Sequence, residues 1–182
     1  LEAGIPKEAL QILVGNGTMI GNALMNTSLV RKLSFTGSCE VGKHLYQGSA
    51  TSLKKLTMEL GGHAPLLVFD DANLEKAVDG AIASKFRQSG QTCVCTNRFF
   101  IQSKIYPHFL KRFIEKVKNL SVGDPFNETT DLSFALHPTS VEKTKRHIAD
   151  AMKRGAKTHL QAKEAHEPEI LTDVTDEMLI FN

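Results

Sequence analysis

The chain has 182 residues, with 22 Lys and Arg against 20 Asp and Glu for a formal charge of +2, His taken as neutral. It is 41% hydrophobic and 23% charged, ordinary globular proportions that exclude disorder and collagen-like repetition. Basic and acidic residues are interspersed, which argues against nucleic-acid binding, and the longest apolar stretch, Ala64 to Phe69, is far too short to span a membrane.

In chain order, apolar spacing switches between the strand and helix periods. Leu10 to Val14 predicts a short buried strand ending at Gly15 and Gly17. Leu33 and Phe35 alternate with Ser34 ahead of Gly37, a second strand. Residues 41–52 predict a helix with Val41 and Leu45 inward, interrupted in quality by Gly48. Leu56, Met58 and Leu60 alternate in a third strand stopped by Gly61 and Gly62, and Pro65 to Phe69 is a fourth. Leu74, Ala77, Val78, Ala81, Ile82 and Phe86 then form one helical stripe, bracketed by Asn73 as N-cap and Gly90 as stop. Phe99 to Gln102 is a strand. Pro107 suits the first turn of a helix carrying Phe109, Leu110, Phe113, Ile114 and Val117. A last helix is predicted from Thr139, spaced from Glu142 as in a capping box, to Gly155. Strands alternating with helices imply a mostly parallel, doubly wound α/β sheet.

Three cysteines, Cys39, Cys93 and Cys95, cannot all pair within the chain, so reduced thiols and a protein that is not secreted are expected. The chain starts at Leu1, not Met, and stops at Asn182 within an apolar run, so an internal piece of a longer polypeptide is expected.

Two glycine patterns compete for a phosphate-binding role. Gly15 to Gly21 follows a strand but carries one residue too many for a dinucleotide fingerprint. Gly37-Ser38-Cys39-Glu40-Val41-Gly42 also follows a strand and opens a helix, whose N-terminal N–H groups and dipole suit a pyrophosphate. Taken alone, either reads more readily as a plain strand-to-helix turn. Glu59 lies in an apolar strand, so its carboxylate is either at an exposed strand end or buried with a raised pKa, the second being what a general base needs. Cys93, beyond a helix-ending glycine, is either an exposed reactive thiol or a small buried hydrophobe.

Together, Phe35-Thr36-Gly37-Ser38 with Val41-Gly42-Lys43, Glu59-Leu60-Gly61-Gly62 and Gly90-Gln91-Thr92-Cys93 resemble, in order and spacing, the signature blocks of the NAD(P)-dependent aldehyde dehydrogenase superfamily. Gly37 and Glu59 are 22 positions apart, Glu59 and Cys93 are 34. The resemblance runs from residue 1 to about residue 125 and then weakens. Ser84 to Cys95 narrows it to the succinate-semialdehyde dehydrogenase branch, with Arg87 six residues before the nucleophile and Cys95 two after it. The resemblance implies the later part of a Rossmann-like NAD(P)-binding domain over residues 1–60 and the first part of an α/β catalytic domain over 61–182. NAD or NADP is the implied cofactor, with Gly37, Ser38, Cys39, Glu40, Val41 and Gly42 along its pyrophosphate and Leu60 at the nicotinamide end.

The implied chemistry oxidises succinate semialdehyde to succinate, as in 4-aminobutyrate degradation. Cys93 attacks the aldehyde carbon, the oxyanion lies near its backbone N–H, hydride passes to the nicotinamide, and Glu59 activates the water that hydrolyses the thioester. Arg87 suits the far carboxylate through two parallel hydrogen bonds, although a cation in a helix's last turn is also a common placement. Cys95 is either a redox partner, forming a strained disulfide that blocks Cys93, or a buried small residue. Cys39 is expected to be a spectator beside the cofactor loop, and His63 has no catalytic role. A small-molecule aldehyde substrate and a homo-oligomer are implied, with no metal, nucleic acid or membrane partner. The compartment implied is the mitochondrial matrix for a eukaryotic source and the cytoplasm for a bacterial one. Residues 131–139 depart from the superfamily's usual Gly-Pro-Leu stretch, residues 161–167 from its glycine-containing loop, and Glu169 from a usual Thr. A general aldehyde dehydrogenase, an inactive remnant that binds nucleotide or a partner subunit, and a thiol-redox protein are the alternatives.

Overall fold

Parallel strands cannot be joined by a tight turn, and the helices of this chain serve as the crossovers. The computed structural model describes residues 3–134, 137–164 and 167–181. The expectations at Leu1 and Asn182, and parts of those at 131–139 and 161–167, lie outside the described residues. The chain divides into two units, Leu1–Gly61 and Gly62–Asn182.

The first unit contains α1 (Gly17–Asn26), β1 (Lys32–Gly37), α2 (Cys39–Ser49) and β2 (Lys55–Leu60). Asn16 caps α1, its side-chain oxygen accepting from the Met19 N–H at 3.0 Å. β1 and β2 pair in parallel from Lys32 opposite Lys55 to Gly37 opposite Leu60, with α2 as the crossover. Met25, Leu33 and Leu45 form the core, flanked by Val30, Phe35, Leu56 and Met58. Lys54 is buried, and its ammonium donates to the carbonyls of Thr27 and Val30, closing the loop between α1 and β1.

Two expectations fail in this unit. Leu10 to Val14 is not a strand: it is exposed, Val14 at 91%. An apolar run becomes a strand only beside a partner, and none lies next to it among the described residues. Val41 points outward, and Gly42, Leu45 and Ser49 form the inner face of α2 instead. Gly48 lies inside that helix because any Cβ there would collide with the Met25 sulfur.

The second unit contains β3 (Ala64–Val68), α3 (Leu74–Phe86), β4 (Thr96–Ile101), α4 (Tyr106–Lys118), β5 (Val122–Gly123), β6 (Leu132–Ser133), α5 (Pro138–Lys153), β7 (Lys157–Leu160) and β8 (Ile170–Thr172). β3 pairs with β4 and β5 with β6 in parallel, while β7 and β8 are antiparallel. The strands thus form four pairs, not one continuous sheet. The fold is α/β, and three of the four pairs are parallel. The main core holds Val68, Val78, Ala81, Ile105, Phe109, Phe113, Val117 and Ile170. Phe113 lies at its centre, its ring centroid 5.4 Å from Phe99, 5.7 Å from Phe109 and 6.4 Å from Phe86.

α3 begins as expected, with Asn73 capping the Lys76 N–H at 3.0 Å. It stops at Phe86, four residues before the expected Gly90: the backbone is already extended at Arg87 (ψ 129°), and Gln88 and Ser89 then turn left-handed. α5 begins at Pro138 with His137 as the cap position, so Thr139 lies inside the helix and its hydroxyl pairs with the His137 ring at 2.9 Å. Proline's fixed φ starts that helix one residue ahead of the expected capping box. At its far end Ala151, Ala156 and the fully buried Met178 make a second small core.

Replacing Phe113 with Ala removes three ring contacts, and a loss of about 3–5 kcal/mol in urea unfolding is expected; a loss below about 1 kcal/mol would contradict its central place. The Met178 segment is held by Asp150, whose carboxylate accepts from the Leu179 N–H at 2.8 Å and pairs with Arg154 at 2.9 Å. The Leu179 N–H first, and then Arg154, hold that carboxyl below its ordinary value. A lowered carboxyl stabilises the fold above its unfolded value and loses that contribution as pH falls through its folded one. The protection of the Leu179 amide, its intrinsic exchange rate over the observed rate at each pH, should therefore fall in acid, and Asp150→Asn should flatten that pH dependence.

Candidate active site

The first unit supplies the cofactor-side residues. β1 ends at Gly37, and Ser38 caps α2, its hydroxyl accepting from the Val41 N–H at 3.3 Å. Helix geometry leaves the N–H groups of Cys39 and Glu40 without intrahelical acceptors. The Gly42 N–H donates back to the Ser38 carbonyl at 2.9 Å. A Cβ on Gly42 would stand 2.7 Å from Leu60 Cδ2, and one on Gly37 would strike the Phe35 ring. A side chain at either glycine would thus force the end of Leu60 or of Phe35 to shift. The competing pattern also opens a helix, yet a Cβ on Gly17 would meet nothing and one on Gly21 only an ordinary contact with Leu45.

Cys39 is exposed, with its thiol donating to the Gly61 carbonyl at 3.5 Å. Glu40 is exposed in the first turn of α2, where a negative charge complements the helix dipole. Glu59 shares the exposed face of β2 with Lys55 and Thr57 and stands opposite Thr36, while Leu56, Met58 and Leu60 are half-buried. Of the two expected placements, it takes the exposed one.

The second unit supplies the thiols and the arginine. Thr92 to Cys95 forms a turn closed by the Cys95 N–H and the Thr92 carbonyl at 3.2 Å, with Cys93 and Val94 at its exposed tip. Cys95, 1% exposed, is fixed below it: its thiol lies 3.2 Å from the carbonyls of both Lys85 and Gly90. Both thiols are free, and a bridge between them would require the Cys95 sulfur to leave both acceptors. Arg87 caps the end of α3 and is exposed.

Three consecutive left-handed residues, Gln88, Ser89 and Gly90 at φ 49°, 55° and 75°, connect Arg87 to the turn. The Ser89 hydroxyl accepts from the Ser133 N–H at 2.8 Å and shares a hydrogen bond with the Ser133 hydroxyl at 3.0 Å. The Lys85 ammonium donates to the Asn97 side chain at 2.7 Å. Burial pushes this lysine below its ordinary pKa, against the opposite pull of Cys95. Asn97 in turn donates to the Gly62 carbonyl and faces the His63 ring, both at 3.3 Å.

Sequence reasoning missed Lys85, although it occupies the stripe of Val78, Ala81 and Ile82 at helical spacing, the one signal that could have found it. The Ser89–Ser133 pair joins residues 44 apart and leaves no local pattern. Gly37 to Gly42, Glu59 and Leu60 belong to the first unit, and Arg87, Cys93 and Cys95 to the second. Among the described residues no three His, Cys, Asp or Glu side chains form a metal-holding group, and no helix is long and apolar enough to cross a membrane.

The model of the aldehyde dehydrogenase family matches residues 1–182. The mitochondrial succinate-semialdehyde dehydrogenase of Oryza sativa is 43% identical over all of this chain, which covers 36% of that protein. The succinate-semialdehyde dehydrogenase [NADP(+)] GabD of Escherichia coli is 42% identical over 96% of the chain and 37% of its own length. The solved succinate-semialdehyde dehydrogenase of Burkholderia pseudomallei superposes with a TM-score of 0.91 at 44% identity, over 98% of this chain and 38% of that one. The chain thus spans little more than a third of the length of the relatives it matches. With the whole sequence matched and the fold shared at this identity, the chain belongs to the aldehyde dehydrogenase family.

Proposed function

We propose that the protein carrying this chain oxidises succinate semialdehyde to succinate, with NAD or NADP as hydride acceptor. The observation that carries this reading is Cys93, exposed at the tip of a turn whose base is fixed by a second, buried thiol. The names of the rice and E. coli relatives support the substrate, and that of the E. coli relative supports NADP.

The residues present suit the cofactor. The Gly37 to Gly42 turn opens α2, and the N–H groups at the start of that helix would suit a pyrophosphate. The backbone, not the Glu40 carboxylate, makes such a contact, and Leu60 packs beneath it against Gly42. When bound, NAD or NADP supplies the hydride acceptor. Cys93, as thiolate, attacks the aldehyde carbon and holds the acyl group as a thioester after oxidation. Its backbone N–H stabilises the oxyanion. Glu59, its carboxylate in water rather than in the core, takes a proton from the water that cleaves the thioester. Arg87 pairs with the substrate's far carboxylate; its guanidinium is exposed and offers two parallel donors. The whole protein is proposed to be a homo-oligomer, in the mitochondrial matrix for a eukaryotic source, as the name of the rice relative supports, and in the cytoplasm for a bacterial one.

The assay is reduction of NAD or NADP with succinate semialdehyde by the native protein. Cys93→Ser should lower turnover by at least about 10³-fold. Glu59→Gln should keep a stoichiometric first burst of reduced cofactor and slow the steady state by about 10²–10⁴-fold. A steady state that is unchanged in Glu59→Gln would remove the base from this position. Arg87→Ala should lower kcat/KM for succinate semialdehyde by about 10–100-fold, as expected for a lost charge-assisted hydrogen bond, while an uncharged aldehyde is unaffected. An unchanged preference between the two substrates would point to a general aldehyde dehydrogenase, and no hydride transfer at all to a remnant that only binds.

A further inference from the structure

Between Arg87 and Cys93 the chain passes through Gln88, Ser89 and Gly90, all left-handed. Only Gly adopts that conformation freely; for Gln88 and Ser89 it is unfavourable and persists where neighbouring structure imposes it. Two devices impose it here. From below, the Cys95 thiol lies 3.2 Å from the carbonyl of Lys85, ahead of the run, and from that of Gly90, its last residue, donating to one of them at a time. From outside, Ser133 at the end of β6 holds Ser89 through both its N–H and its hydroxyl, at 2.8 and 3.0 Å. Among the described residues, Ser89 is the only member of the run whose side chain is tied to another strand.

We infer that Ser89 and Ser133 are a positioning pair that fixes Arg87 relative to Cys93 and so favours aldehydes carrying an anionic group. Neither serine touches the reacting atoms. Their hydrogen bonds hold a backbone path that would relax without them, and relaxation of three residues moves the guanidinium while the turn bearing Cys93 stays anchored by Cys95. The inference rests on the proposed role of Arg87.

The test compares alkylation of Cys93 by iodoacetate, an anion, and by iodoacetamide, its neutral analogue, in the native protein, with each cysteine followed by peptide mass mapping. A guanidinium held near the thiol raises the iodoacetate rate relative to the iodoacetamide rate. Arg87→Ala should lower that ratio by about two- to fivefold, the effect of one exposed charge pair. Ser89→Ala should lower it as far, and Ser133→Ala part of the way, because the Ser133 N–H remains. In both, the iodoacetamide rate should stay unchanged and the buried Cys95 unreacted, which shows that the turn is intact. Ser133→Thr, which keeps the hydroxyl, should restore the ratio. If Arg87→Ala lowers the ratio and the serine variants do not, the positioning pair is overturned and the role of Arg87 stands. If Arg87→Ala leaves the ratio unchanged, both are overturned. If the serine variants expose Cys95 or change both rates equally, the pair merely maintains the fold and the inference is overturned.

Discussion

Parallel pairing is the constraint on which the rest of this chain depends. Two parallel strands need a crossover, and the crossover needs a helix whose apolar face covers the pair. In the first unit α2 connects β1 to β2, and the requirement that it lie close against β2 explains why Gly42 faces Leu60. The same helix start presents the free N–H groups of Cys39 and Glu40. In the second unit α3 connects β3 to β4, and its early end at Phe86 leaves the nine residues 87–95 before β4 begins at Thr96. Arg87, Cys93 and Cys95 all lie in that interval. The cofactor-side turn and the interval holding the thiols thus fall where a crossover helix starts or stops, whereas Glu59 lies within β2 itself.

The second unit is held by a dense aromatic core with a charged rim. Phe86, Phe99, Phe109 and Phe113 interlock, while Arg112 binds Glu75 and Glu115, and Lys116 binds Asp79 and Glu75 on the outside of α3 and α4. Each partner shifts the other toward its charged form: Glu75 is lowered, chiefly by Arg112, and Arg112 is raised, chiefly by Glu75. Exposed pairs of this kind contribute little to stability individually. Their geometry instead sets which faces of α3 and α4 meet, and the apolar stripes beneath provide the stabilisation.

Much of this organisation was legible in the sequence because it rests on short-range periodicity. Alternation located β1 and β2, the apolar run from Pro65 to Phe69 located β3, and the apolar stripes located α3 and α4 with Asn73 as the cap. What failed was set by partners distant in the chain. Leu10 to Val14 has strand composition but no neighbour among the described residues. Val41 was assigned inward by spacing, although the inner face is set by where Gly42 meets Leu60. The stop at Phe86 comes with an extended Arg87 and a left-handed run that the Ser89 and Cys95 hydrogen bonds brace, not with Gly90 alone. At the site, Cys93, Glu59 and the Gly37 to Gly42 turn stood out through their joint resemblance to the superfamily's signature blocks, each residue alone admitting a plain structural reading. Lys85 and Ser133 did not, since a half-buried lysine in an apolar stripe and a serine tie across 44 residues become visible only in three dimensions.

Gly42 and Leu60 share a single volume: the space that a side chain on the helix would take is already filled by the leucine. The two positions therefore cannot vary independently. As related sequences diverge, a larger residue at 42 is compatible only with a smaller one at 60, and the pair should co-vary in size even where its surroundings change freely. Because residue 60 directly follows Glu59 on the same strand, an exchange of bulk between the two would also alter how firmly that carboxylate's backbone is seated. Size at a helix glycine thus becomes a quiet determinant of how the strand beside it is presented.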